Sequence, residues 1–378
     1  MQPHTGSPFA ARAASAEPIA SRDARLQGVN LGGWLVAGAT PEHLAGFVGE
    51  GDFARLASWR LSHVRLPVDA ALLDVPAGWA ALDGALGACE GHGLRCVLAL
   101  RLGRAEQDGL FTAESRWRSV VERWEAIARR YREVADTLYY DLLHRPSAPD
   151  DLSPEALAAL GAARLSPAAA RRPAPAGATG GRAWNALATR LTEAIRALDE
   201  RHTIVVESNG GADAAAFTHL RPTRDPNTVY SFHGFEPRAF TEQGRGAGNP
   251  PLPAGEGVIP YPGTIDGERW DREQLQTRLE PALEFRRVYE APLYLGAFGV
   301  SASAPRSGQL TWVRTVLSLC RAHNIGWAYW RYKGGPFGIV ADPASPDDAG
   351  PAGPYSALER YQNPQRLDYE LLGVLQSE

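Results

Sequence analysis

From about residue 26 onward, short runs of β-branched and aliphatic residues alternate with longer amphipathic stretches. The short runs are Leu26–Asn30, His63–Leu66, Cys96–Leu100, Thr137–Leu143, Thr203–Glu207, Thr228–His233, Leu293–Ala297 and Trp327–Trp330. Each is short for a helix, and bounded apolar runs of this length read as buried strands. Between them lie segments with helical spacing. Over Arg116–Tyr131, the residues Trp117, Val120, Val121, Trp124 and Ala128 share one face; over Trp184–Leu198, Leu187, Leu191, Ile195 and Leu198 do so. Strands alternating with helices predict repeated βα units and a parallel sheet, and eight such strands predict an α/β fold of the (β/α)8 barrel type. The barrel is expected as a single domain over residues 26–378, after a flexible N-terminal segment, residues 1–25.

Two stretches break the alternation. Ser147–Gly181 is an Ala/Pro/Gly-rich insertion after the fourth strand, with a short helix expected within Ser153–Leu165 and a flexible loop over Arg171–Gly181. Gly244–Gly267 is a Gly/Pro-rich excursion after the sixth strand, carrying Ile259-Pro260-Tyr261-Pro262 and leading to Trp270. Loops at the C-terminal ends of barrel strands are where such folds build clefts.

Composition narrows the class. The 378 residues are 44% hydrophobic and 22% charged with ten Trp, a globular balance that can fill a large core. A net charge of -4 gives no case for nucleic acid or an anionic membrane surface. Cys89, Cys96 and Cys320 have no paired spacing, so neither a metal site nor a disulfide framework is indicated. No cofactor motif stands out. No apolar run is long enough for a membrane-spanning helix. Ala13-Ala14-Ser15-Ala16 has the small residues of a signal-peptidase site without an apolar stretch before it, which leaves a cytoplasmic and an exported location both open.

Six blocks in order resemble glycoside hydrolase family 5, the cellulase-like clan, from Gln27 onward. They are Gly28-Val29-Asn30-Leu31-Gly32-Gly33-Trp34-Leu35, His63-Val64-Arg65-Leu66-Pro67, Ala194–Asp199 leading to His202–Val206, Val229–Pro237 followed by Phe240–Gln243, Pro292–Val300, and Gly326-Trp327-Ala328-Tyr329-Trp330. The resemblance implies a (β/α)8 barrel acting on β-linked glycan. It places Arg65 on the arginine that supports the nucleophile, His233 on the active-site histidine, and Trp330 on the tryptophan under the scissile sugar.

Other positions depart from the family pattern. Retaining glycosidases use two carboxyl groups about 5 Å apart. The family's Leu-Asn-Glu-Pro string is here Leu143-His144-Arg145-Pro146, so its acid/base position is Arg145 and its asparagine is His144. Its Gly-Glu-Phe-Gly strand end is Gly296-Ala297-Phe298-Gly299, so the nucleophile position is Ala297. The histidine of strand three is Arg101, and the tyrosine beside the nucleophile is Phe235. Arginine does not exchange protons at working pH, and a methyl group attacks nothing. The expectation that follows is a pseudoenzyme with no catalytic residues, whose former cleft binds a poly- or oligosaccharide through Arg65, Arg101, His144, Arg145, His233, Phe235 and Trp330.

Converging guanidiniums suit a carboxylate or phosphate, which brings acidic polysaccharides into view. The same arginines could instead pair internally with Asp69, Asp141, Glu207 or Glu236, and both readings stay open. Trp34, Tyr261 and Trp270 are further candidates for stacking on sugar rings, with a core role equally expected for Trp34 and Trp327. Trp117 and Trp124 are expected in the core. Two alternatives compete with a non-catalytic glycan binder, which would serve polysaccharide synthesis or export. One is an active endoglucanase-like hydrolase using displaced carboxylates, Glu207 and Glu236; the other is a protein-interaction scaffold.

Overall fold

The computed structural model describes residues 26–150, 152–161, 181–243, 258–341 and 367–377. The strands in chain order are β1 (Gln27–Asn30), β2 (His63–Asp69), β3 (Arg95–Arg101), β4 (Leu138–Asp141), β5 (Thr203–Glu207), β6 (Thr228–Gly234), β7 (Gly263–Ile265), β8 (Glu268–Trp270), β9 (Leu293–Phe298) and β10 (Gly326–Tyr329). Eight of them close a parallel barrel in the order β1-β10-β9-β6-β5-β4-β3-β2. This is the predicted (β/α)8 architecture, and every predicted strand falls on a barrel strand. The helices used below are α1 (Pro76–Gly91), α2 (Glu114–Tyr131), α3 (Arg182–Arg196), α4 (Arg272–Tyr289), α5 (Arg306–Ala322) and α6 (Tyr369–Ser377).

Alternation along the strands fills the barrel in storeys. The lower storey is apolar and aromatic: Leu26, Val97, Tyr139, Val205, Val229, Tyr294 and Ala328 form one cluster apart from the main core. Two residues further along β2, β4, β5 and β6, the inward positions become Arg65, Asp141, Glu207 and Ser231. The outward faces pack against the helices. On α2, Trp117, Val120, Val121, Trp124 and Ala128 are all buried, as their spacing predicts. On α3, Leu187, Leu191 and Ile195 are buried.

The long connections differ from expectation in one respect. The segment from Gly263 to Trp270 is an antiparallel hairpin, pairing Gly263 with Trp270 and Ile265 with Glu268. Its turn is Asp266-Gly267, both with positive φ (51° and 80°), the conformation that an Asp-Gly pair in a tight hairpin favours. Proline and glycine on either side masked that signal in the sequence. The expected helix in Ser153–Leu165 is Pro154–Ala159, with the Ser153 side chain accepting from Ala156 N at 3.2 Å. The N-terminal segment 1–25, most of 162–181 and residues 244–257 lie outside the described residues. No described helix is long and apolar enough to cross a membrane.

Candidate active site

The charged storey is built around Arg65. Its Nη2 donates to Asp141 Oδ2 at 2.7 Å and to Glu207 Oε1 at 2.5 Å, and its Nε donates to Asp141 Oδ2 at 2.9 Å. Its Nη1 donates to Asn30 Oδ1 at 3.0 Å. Asn30 in turn donates to the carbonyls of Gly296 (3.0 Å) and Ala328 (3.2 Å), tying β1 to both strands on the far side of the closure. All three charged side chains are fully buried. Burial disfavours the charge on Arg65, but Asp141 and Glu207 outweigh it and raise its pKa. Burial also raises Glu207 and pushes Asp141 up to about 8, the guanidinium only partly offsetting it. Two carboxyls sharing one cation in a dry space do not both ionise readily, so the pair retains a proton into the neutral range.

Glu207 connects this storey to the mouth. Its Oε2 accepts from the backbone N–H of Arg145 at 2.6 Å, and its Oε1 lies 3.1 Å from His233 Nε2. His144 Nδ1 lies 3.9 Å from the same oxygen and accepts from Arg65 Nη2 at 3.2 Å. Burial first, and the nearby Arg65 second, hold both imidazoles well below their ordinary pKa, so both are neutral. His144 also stacks near Trp330, ring centroids 6.3 Å apart and 18° between planes. Trp330 needs the glycine beneath it: a Cβ on Gly32 would stand 2.5 Å from its ring. His144, Glu207 and His233 bring their ligand atoms within 4.8 Å of one another, a grouping that could hold a metal ion. Arg65 already supplies the positive charge against two of those three atoms.

Each side chain proposed from sequence has a definite place. Arg65 lies beneath the mouth, fully buried and engaged with Asp141, Glu207, Asn30 and His144. Arg101 sits at the rim and pairs with Asp69 through Nε and, at 2.8 Å, through Nη2. Asp69 also accepts from Ala37 N at 2.7 Å, so this ion pair holds the loop after β1. Arg65 and Arg101 therefore pair internally. Arg145 is exposed, in a left-handed backbone conformation (φ 55°), with its guanidinium near Gly211. His144, His233, Phe235 and Trp330 are partly exposed around the mouth. Ala297 is buried at the end of β9. Trp34, Tyr261, Trp270 and Trp327 are buried, which corrects the first three as sugar platforms.

Sequence reasoning missed how the mouth is held. Three helix-borne indoles donate to carbonyls where strands end: Trp124 to Leu142 O (2.9 Å), Trp184 to Glu207 O (2.7 Å) and Trp312 to Glu236 O (3.0 Å). The burial of Trp124 was legible from spacing; the burial of Trp184 and Trp312, and the polar edge of all three, were not read from the sequence. Glu236 itself is 44% exposed at the side chain, 3.5 Å from Arg238 Nε.

The family described as Cellulase (glycosyl hydrolase family 5) matches residues 41–335, well over half the chain. The chain belongs to glycoside hydrolase family 5. Endoglucanase C of Acetivibrio thermocellus is 25% identical over 354 residues, covering 84% of this chain and 94% of that protein. Cellodextrinase A of Ruminococcus flavefaciens is 26% identical over 324 residues, covering 79% and 83%. Among solved structures, Thermotoga maritima Cel5A in complex with cellobiose superposes with a TM-score of 0.70 at 20% identity, covering 95% of this chain and all of that one. Cellulose synthase subunit Z of Clostridioides difficile gives 0.66 at 20% identity, covering 92% and 98%. These superpositions show the shared barrel.

Membership overturns the expectation of a pseudoenzyme. The family is one of hydrolases, and the relatives at 25% and 26% identity are an endoglucanase and a cellodextrinase. That expectation weighed the departures at five aligned positions, 101, 144, 145, 235 and 297, against the carboxyl arriving from β5. Glu207 stands under the mouth of this family 5 barrel.

Proposed function

We propose that the protein hydrolyses a β-linked glycan in the manner of an endoglucanase, with its carboxyl chemistry moved to β5 and β6. In this reading the family's acid/base and nucleophile positions are Arg145 and Ala297, and Glu207 and Glu236 take over. The observation that carries it is the Glu207–His233 contact at 3.1 Å, at the C-terminal end of the barrel. A carboxyl with a raised pKa joined to a neutral imidazole can pass a proton between the sealed storey and the mouth. Glu236, more exposed and on the next strand end, supplies the second carboxyl. Trp330 offers an aromatic face beside His144, and pyranose rings bury their C–H faces on such surfaces. The endoglucanase and cellodextrinase relatives support glucan as the first substrate to try.

The test is release of reducing ends from β-1,4-glucan and β-1,4-mannan oligomers. Glu207→Gln should lower kcat by about 100-fold or more with KM little changed, the size expected for a lost proton-transfer group. Glu236→Gln, at a half-exposed position, should lower it without altering the melting temperature. No release by the unaltered protein, or an undiminished rate in a folded Glu207→Gln variant, overturns the proposal.

A further inference from the structure

Between the barrel wall and the helix layer lies a cavity of about 250 Å³. Its walls are the outward-facing Phe232 of β6 and Leu295 of β9, Leu275 and Leu279 of α4, and Trp312 and Val316 of α5. Cys320 lines it too, and burial pushes that thiol up to about 12, so it stays a neutral, weakly polar surface. Arg145, His233, Phe235 and Glu236, at the strand ends, line the cavity as well, and so do Asp213, Arg238 and Arg278, of which the two arginines pair with Glu236 and Glu268.

Such a void calls for an explanation. Folded interiors leave few spaces larger than a water molecule, and a dry apolar cavity of about 150 Å³ is enough to take up benzene. The local cause is visible in the chain. Between β5 and β6 the described helical structure is only the short turn Asn209–Ala212 and the 3-10 turn Ala214–Thr218, where most βα units place a full helix. Gly211, Ala212, Ala214 and Ala215 border the cavity with little side-chain volume. Sugar rings do not suit the walls, because buried hydroxyls without partners are costly and the α5 and β-strand lining offers them few. A hydrocarbon chain suits them.

We infer that this cavity receives the alkyl chain of an amphipathic β-glycoside, with the sugar at the mouth beside His233 and Trp330 and the chain running inward toward Cys320. The inference rests on the reading of the mouth as a sugar site, and adds to it the class of aglycone. The lining combines polar groups of the strand ends, Arg145, His233 and Glu236, with the apolar side chains of α4 and α5, a pairing that matches a molecule with a polar head and an apolar tail.

Calorimetric titration with octyl β-glucoside, below its micelle-forming concentration, and with methyl β-glucoside tests this without any need for turnover. Octyl glucoside should bind at least tenfold more tightly. Val316→Phe, which fills the cavity, should bring its affinity down to that of methyl glucoside. Leu279→Phe, at a partly buried position that tolerates change better, should reduce it in the same direction. Equal affinities for the two glucosides overturn the inference, as does an octyl preference that neither filling variant reduces. Because the readout is affinity, a failure to cleave glucan counts against the hydrolase reading alone.

Discussion

Arg65 and Arg101 look alike in the sequence, each an arginine in a strand of the barrel, yet their energetics differ. Arg65 is sealed between two carboxyls, so removing its charge leaves Asp141 and Glu207 buried without a cation. Breaking a buried pair in this way typically costs about 3–5 kcal/mol. Arg101 and Asp69 stand at the rim, where water screens them, and such a pair contributes at most about 1 kcal/mol. Arg65→Met should therefore lower the midpoint of urea unfolding severely or prevent folding, while Arg101→Met should shift it slightly. Comparable shifts for the two variants would show that the charged storey is wetter than its burial implies. The sequence could name both residues as cleft cations but could not rank them. How deep an inward side chain lies depends on barrel tilt and stagger, which involve all eight strands at once. The same limit applied to Glu207: its type and strand end were legible, and its contact with His233 was not.

At the scale of elements, the helices do more than cover the barrel. Trp124, Trp184 and Trp312 reach from α2, α3 and α5 to the carbonyls at the ends of β4, β5 and β6. These are the strands that lead into His144, Glu207 and His233. Periodicity identified Trp124 as a core residue correctly, because spacing reports which face is buried. It cannot report that one edge of a buried ring carries a donor that must find a partner. Trp184→Phe keeps most of the apolar contact and leaves the Glu207 carbonyl unpaired. The expected loss is about 1–3 kcal/mol of stability, measured by denaturant titration, with a fall in any glycan-cleaving rate larger than the stability loss explains. The hairpin β7–β8 shows the converse failure: a legible Asp-Gly turn hidden among prolines and glycines that suggested a loop.

For the whole molecule, acid and alkaline stability pull in opposite directions. His63, His144 and His233 are all held below their ordinary pKa, His63 to about 3, with burial the main cause and neighbouring arginines adding to it. In the unfolded chain they would take a proton near about pH 6.5. Below that pH the unfolded state binds more protons, so stability falls as pH falls. Asp141, raised to about 8, and Glu207, also raised, act the other way. The folded state keeps protons that an unfolded chain loses near about pH 4, so stability falls as pH rises toward 8. Three histidines outweigh two carboxyls on the acid side, and above about pH 6.5 the carboxyls act alone. The melting temperature should peak near about pH 6.5 in a calorimetric series, and Asp141→Asn should flatten the alkaline limb. A melting temperature still climbing at about pH 8.5 would contradict this account.

The depth of the Arg65 cluster also decides what the surrounding medium can do to it. Dissolved counter-ions weaken attractions between charges that they can approach, and they approach the rim pair of Arg101 and Asp69 but not a guanidinium enclosed by strand backbone. Brine would loosen the lip of this barrel and leave its throat as it was.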